Sequence, residues 1–131
     1  MENKIFNPCV QDRLRFRAWI PSKKTMTDPF DLESGWIKES FVFLMQSTGL
    51  IDSAGVDIWE GDILEDNFFN LEMRWWPEAA RFAAFKNGYQ YELFFDIAHP
   101  GQLIYNKVIG NIYENPELLQ AKEQGDKAKT L

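Results

Sequence analysis

The sequence predicts a mainly β protein with a small helical part, which places it in the α+β class. Aromatic residues make up 15% of the 131 residues, and large rings favour the pleated, half-buried surfaces of strands. Short apolar runs alternate with turn signals along the chain, as is typical of strands. A helix-start pattern occurs near the C-terminus. With 45% hydrophobic and 26% charged residues, the composition indicates one globular domain or two very small ones.

The first predicted strand lies at residues 13–20, where apolar and polar side chains alternate strictly. One face carries Leu14, Phe16, Ala18 and Ile20, and the other carries Arg13, Arg15, Arg17 and Trp19. Residues 21–24 have turn composition. Residues 25–30 then predict a short returning strand that is interrupted at Asp28 and Pro29.

A dense apolar run at residues 39–46 predicts a buried strand that ends at Thr48 and Gly49. Residues 52–55 predict a tight turn, because Asp can bond its own backbone and Gly accepts a positive φ. Residues 56–59 alternate as a strand. The triplet at residues 60–62 then predicts a turn that leads into a strand at residues 63–65.

The clearest hairpin signal is the Asn87-Gly88 pair, which lies between apolar runs at residues 81–85 and 89–94. A strand at residues 71–76 precedes it and is stopped by Pro77. Residues 103–113 are rich in β-forming residues, with Gly110 as a bend or bulge. Asn115 as N-cap and Pro116 at the first helical position predict a helix that extends to about residue 123.

Bulk charge and cysteine content narrow the functional classes. The net charge is −6, which disfavours a protein held to nucleic acid by phosphate contacts and disfavours adhesion to anionic lipid. Cys9 is the only cysteine, so an intrachain disulfide and a cysteine-based zinc site are excluded. No apolar run has the length of a signal peptide or membrane span, so we expect a cytoplasmic protein without a membrane partner.

Catalytic motifs are sparse. The lone histidine, His99, lies in a loop-like segment, and neither a nucleophile elbow nor a glycine-rich phosphate loop occurs. The carboxylates of Asp57, Glu60 and Asp62 have a spacing that can bind a divalent cation or act as acid and base. The simpler interpretation is that Asp62 accepts turn backbone N–H groups. We therefore expect no catalytic residue, no metal and no cofactor.

The best binding candidate is the strand face that carries Arg15, Arg17 and Trp19. Guanidinium groups beside a flat ring can hold phosphate and stack on a base. Two other interpretations remain open. The arginines can form a solvated face that pairs with the acidic excess, or they can be structural and packed between two halves of the protein.

Three blocks in order, at residues 15–19, residues 45–52 with 60–63, and residues 108–119, resemble the YopX family of phages, prophages and other mobile elements. The resemblance implies an N-terminal mixed β portion (residues 1–59) followed by a small SH3-like barrel with a short C-terminal helix (residues 60–131). The motif residues within these blocks, expected to be structural, are Gln46, Thr48, Gly49, Gly61, Asp62, Gly110, Asn111, Asn115 and Pro116.

The resemblance implies no established biochemical role, catalytic residue or cofactor. Our leading hypothesis is a non-enzymatic accessory protein of a mobile element that self-associates or contacts a phage or host protein. A nucleic-acid-binding module that uses the arginine face is the first alternative, and a small metal-dependent enzyme is the second.

Overall fold

A computed structural model describes residues 14–31, 41–66, 69–91 and 104–120. Within these ranges the chain is mainly β, as predicted, with one helical turn at residues 117–120. No helix in the described part is long and apolar enough to cross a membrane. The predictions for Cys9, Arg13, His99, residues 39–40, 92–94 and 103, and the helix beyond residue 120 lie outside the described residues.

The first sheet is built from the strands that precede residue 60. Its strands are β1 (Arg15–Ile20), β2 (Thr25–Met26), β3 (Phe30–Asp31), β4 (Phe43–Ile51) and β5 (Asp57–Trp59). They are antiparallel in the order β2-β1-β4-β5, and β3 also pairs with β1. The interrupted return after β1 is confirmed, because β2 and β3 pair with opposite ends of β1.

The second sheet contains the strands that follow residue 60. Its strands are β6 (Asp62–Glu65), β7 (Leu71–Trp76), β8 (Arg81–Lys86), β9 (Tyr89–Tyr91) and β10 (Lys107–Asn111). Their order is β10-β6-β7-β8-β9, so four strands form a meander and the last returns to the first. The sheet curls into a half-barrel.

The predicted hairpin is confirmed as β8 and β9. Asn87 has a φ of 52° and Gly88 a φ of 84°, and the two residues lie between Lys86 and Tyr89, which pair directly. Positive φ at both central positions is the requirement of a type I′ turn. Local sequence therefore determines this connection.

The prediction for β4 is wrong in its extent. The strand continues through Thr48 and Gly49 to Ile51, because its pairing with β5 extends from Ser47 to Ile51. The Thr48 hydroxyl also donates a 2.7 Å hydrogen bond to the Ile58 carbonyl of β5. Gly49, with a φ of 81°, lies where the register with β5 shifts between Ser47 and Ile51. The glycine thus belongs to an irregularity within the ladder. The start of the strand is exposed rather than buried, at Phe43 and Leu44.

Both sheets contribute to one hydrophobic core. Its buried members are Ile58, Leu64, Leu71, Met73, Ala84 and Ile104. Ile58 belongs to the first sheet and four members to the second, so the apolar faces of the two sheets meet. This packing places the β5–β6 turn between the sheets.

Candidate functional site

The predicted arginine face of β1 packs against Trp59 of β5. The guanidinium carbons of Arg15 and Arg17 lie 5.7 and 5.4 Å from the ring centroid of Trp59, within the range of cation–π attraction. The Arg17 side chain is only 13% exposed. The alternation along β1 was predicted correctly, but this face is covered by protein at Arg17.

Arg17 joins the two sheets through Asp62 at the start of β6. Its Nη2 atom donates a 2.6 Å hydrogen bond to Asp62 Oδ1, and the Trp59 N–H donates to Asp62 Oδ2 at 2.8 Å. Asp62 is 2% exposed. Burial raises the pKa of the Asp62 carboxyl, and the Arg17 guanidinium and the Trp59 N–H oppose this only in part. The Arg17 Nε atom is buried without a partner.

Arg15 forms a looser ion pair with Asp57. The two side chains are separated by 3.6 Å and are 38% and 45% exposed, so solvent screens the attraction. A cleft of about 330 Å³ opens beside this region, and its lining includes Arg17, Asp57, Trp59 and Asp62. One cation faces two carboxylates there, which is unfavourable for a phosphate ligand.

Asp57 and Asp62 line the same cleft, but Glu60 does not, and each of the three carboxylates has its own partner. Asp57 pairs with Arg15, Asp62 with Arg17, and Glu60 Oε1 accepts the Gln46 N–H at 3.0 Å. Within the four described ranges, no group of three or more His, Cys, Asp and Glu residues could hold a metal ion.

Trp19, the third predicted binding residue, belongs to an aromatic cluster. Its ring stacks on Tyr113 with centroids 6.0 Å apart, and Tyr113 stacks on Phe43 at 5.2 Å. Phe41 meets Phe43 edge-on at 5.1 Å. Phe41 is 61% and Phe43 is 40% exposed. We call Trp19, Phe41, Phe43 and Tyr113 the aromatic surface.

A groove of about 260 Å³ lies beside the aromatic surface. We call it the edge groove, and its walls include Leu44 of β4, Trp75 of β7 and Tyr113. Leu44 is 56% and Trp75 is 46% exposed. The carboxylates of Glu60 and Glu72 also line it. Burial raises the pKa of the Tyr113 hydroxyl, and these two carboxylates raise it further.

The bottom of the edge groove is the turn at Glu60 and Gly61. Gln46 and Glu60 are linked twice, because the Glu60 N–H also donates to the Gln46 carbonyl at 3.0 Å. Gly61 has a φ of 87°, and its N–H donates to the Met73 carbonyl at 2.8 Å. The turn therefore joins β4 to β7.

Residues 110–116, which we call the C-terminal motif, are held together by side-chain hydrogen bonds within the segment. Asn111 Oδ1 accepts the N–H groups of Tyr113 and Glu114. Asn115 was predicted to cap the helix with its side chain, but its Oδ1 instead accepts the Asn111 N–H at 3.2 Å. The bulge predicted at Gly110 is present, since the register shifts between Val108 and Gly110. Pro116 directly precedes the helical turn.

Gly110 is required by this motif for steric reasons. A Cβ atom added there would lie 2.5 Å from Asn115 Oδ1. The Asn115 side chain therefore occupies the space that any other residue at this position would need.

Asp52 is a key residue that the sequence indicates only as a turn former. It is fully buried. Its Oδ1 accepts the N–H groups of Ala54 and Val56, each at 2.8 Å. Its Oδ2 accepts the Val108 N–H of β10 at 2.9 Å. One carboxylate thus shapes the β4–β5 turn and attaches it to the second sheet.

Comparisons with known proteins agree with this architecture. The family described as YopX protein matches residues 24–120. Among curated proteins, none matches the sequence. Among solved structures, the chain is similar to the crystal structure of protein EF1440 from Enterococcus faecalis. The identity is 29% and the TM-score 0.53, over 80% of this chain and 96% of that one.

Proposed function

Because the chain belongs to the YopX protein family, we propose that it is a non-enzymatic accessory protein of a phage or other mobile element. It acts in the cytoplasm through protein–protein contacts, including self-association. The aromatic surface is the observation that carries this proposal. Family membership alone brings no biochemical role.

The aromatic surface has the properties of a contact region. Phe41 and Phe43 are 61% and 40% exposed, and their rings continue through stacked contacts onto Tyr113 and Trp19. Single exposed apolar residues are ordinary, whereas contiguous apolar patches mark interaction sites. Aromatic side chains are also enriched in the centres of protein interfaces.

We also propose that the second sheet is an SH3-like barrel. Its strand order, with a four-stranded meander and a fifth strand that returns to the first, supports this assignment. Small barrels of this kind serve as binding modules in many unrelated proteins, so the fold is compatible with a contact function without specifying one.

The geometry gives less support to the alternatives. A nucleic-acid site on β1 needs free guanidinium groups, but Arg17 and Arg15 both face carboxylates. Oligonucleotide binding at low salt that Arg15→Glu abolishes would favour this alternative instead. A catalytic role for Asp57, Glu60 and Asp62 gains no support, because each has a different partner.

Sedimentation velocity tests the proposed self-association. We expect the wild-type protein to associate in the micromolar range, and Phe41→Ser with Phe43→Ser to weaken association by about tenfold or more. Tyr89→Ser is the matched control, because Tyr89 is 72% exposed on β9 and lies outside the aromatic surface. A strict monomer at high micromolar concentration would overturn self-association.

A further inference from the structure

The strands β4 and β7 lie on either side of the turn at Glu60 and Gly61, and both extend past it. β5 ends at Trp59, opposite Ser47 of β4. β6 begins at Asp62, and its pairing with β7 reaches Glu72. Beyond these points, neither β4 nor β7 has a neighbouring strand on the side of the turn among the described residues. Within the described ranges, each strand therefore has a free edge there.

Hydrogen bonds at the turn show which way these edges face. The Gln46 carbonyl accepts the Glu60 N–H, and the Met73 carbonyl accepts the Gly61 N–H. In an antiparallel strand, every second residue directs its N–H and C=O groups to the same side. Leu44 lies two residues before Gln46, and Trp75 lies two residues after Met73. Both therefore direct their backbone groups towards the same side as Gln46 and Met73. Both residues line the edge groove.

The edge groove is lined by apolar side chains and by three charged ones, the carboxylates of Glu60 and Glu72 and the guanidinium of Arg74, which leaves an excess of negative charge. Leu44 and Trp75 are half-exposed walls. Glu60 Oε1 is bonded to the Gln46 N–H, and Glu72 Oε1 lies 3.3 Å from Arg74 Nε. One oxygen of each carboxylate is left for a ligand among the described residues.

We propose that the edge groove binds an extended segment of a different protein, which adds as a strand to the free edges of β4 and β7 and directs a Lys or Arg side chain towards Glu60 and Glu72. Main-chain hydrogen bonds supply affinity in such strand addition, and side-chain pockets supply specificity. The two carboxylates outnumber the Arg74 guanidinium and so favour a cationic residue, and Trp75 adds a cation–π wall. The inference rests on the proposed contact function because it names the partner chemistry of a neighbouring surface.

The groove differs from the aromatic surface in what it recognises. Phe41 and Phe43 offer an apolar contact suited to a second copy of the chain. The edge groove offers backbone groups and carboxylates, which suit a segment with unpaired N–H groups and positive charge. The two surfaces can therefore be tested separately.

NMR titration of the ¹⁵N-labelled protein provides the test. The probe is a pool of capped pentapeptides with a central Arg and Val, Thr, Ile or Tyr elsewhere. A pool with citrulline in place of Arg keeps the shape and removes the charge. We expect the arginine pool to shift the amide signals of Leu44 and Trp75, and the citrulline pool to bind at least about fivefold more weakly. Backbone N-methylation at alternate positions should remove binding.

Protein variants locate the interaction. Glu72→Gln should weaken binding of the arginine pool by about fivefold and leave binding of the citrulline pool unchanged. The matched control is Glu65→Gln, because Glu65 is an exposed residue at the opposite end of β6. Equal binding of both pools, shifts confined to other strands, or no shift at all would overturn the proposal. Occupation of the groove by a second copy, seen as concentration-dependent shifts of Gly61 and Trp75 without peptide, would also overturn it.

The Phe41→Ser and Phe43→Ser double variant separates this inference from the proposed function. Peptide binding by that variant supports the edge groove even when self-association is lost. Self-association of the wild-type protein without peptide binding leaves the proposed function standing and overturns the inference alone.

Discussion

Asp52→Asn is expected to destabilise the protein strongly although it changes one atom. The fully buried carboxylate accepts three backbone N–H groups, two on Oδ1 and one on Oδ2. In asparagine, the amide nitrogen cannot accept. If Oδ1 keeps Ala54 and Val56, the partly buried Val108 N–H loses its partner and faces another N–H group.

The magnitude follows from these three bonds. A donor left unpaired against the fully buried side chain of residue 52 costs about 1–3 kcal/mol, and two bonds to a neutral rather than a charged acceptor weaken by a few tenths to about 1 kcal/mol each. We therefore expect a loss of about 2–4 kcal/mol in the free energy of unfolding. For a chain of this size that is a fall in Tm of about 8–16 °C.

Urea denaturation followed by tryptophan fluorescence measures the effect as a lower midpoint with an unchanged slope. Asp57→Asn is the matched control, because Asp57 is about half exposed in a 3.6 Å ion pair. This substitution should lower the free energy of unfolding by no more than about 0.5 kcal/mol. Equal effects of the two substitutions would refute the reasoning.

Three further predictions concern the inter-sheet contact, the C-terminal motif and the groove. Arg17→Met leaves the buried Asp62 carboxylate unpaired and should cost about 3–5 kcal/mol near neutral pH by urea denaturation. The loss should shrink towards pH 4, because without Arg17 the pKa of Asp62 rises further and the folded state takes up a proton; an equal loss at both pH values would contradict this. Gly110→Ala should cost about 1–3 kcal/mol, because its Cβ meets Asn115. Adding Asn115→Ala should recover part of that loss, whereas strict additivity of the two changes would argue against the contact. Tyr113 should ionise above the normal tyrosine pKa of 10.0. Tyrosinate absorbance is followed against pH in the wild type and in Tyr113→Phe, and the difference between the two curves reports Tyr113. A normal pKa in that difference curve would contradict the prediction.

Features determined by neighbouring residues were predictable from the sequence. The Asn87-Gly88 pair specifies a type I′ turn, and both residues have the positive φ that it needs. Pro77 ends β7 at Trp76, because proline has no N–H for the ladder. The bulge at Gly110 was also predicted, since an isolated glycine in a β-rich run commonly marks one.

Features determined by distant partners were not predictable. In the sequence, Thr48 resembles the end of a strand. In the structure, its hydroxyl donates a hydrogen bond to the Ile58 carbonyl of β5. The alternation around Arg17 predicts two faces correctly, but it does not show that Asp62, 45 residues away, covers the polar one. In the same way, Asp52 signals a local turn, whereas its bond to Val108 needs the second sheet to be in place.

The candidate site likewise combines one feature that the sequence predicts with one that it does not. The sequence indicates that residues 60–62 form a turn, and the structure has that turn. The edge groove arises only because β4 and β7 extend past it on either side. No local pattern encodes this overlap, since it depends on the register of strands that are far apart in the chain.

Hydrogen exchange with mass spectrometry at low and high micromolar protein concentration tests the central claim most directly. If the aromatic surface mediates self-association, slower exchange at high concentration should be confined to residues 18–20, 41–45 and 111–114, with residues 87–91 unchanged. Identical exchange at both concentrations, or protection centred on residues 87–91, would contradict the account.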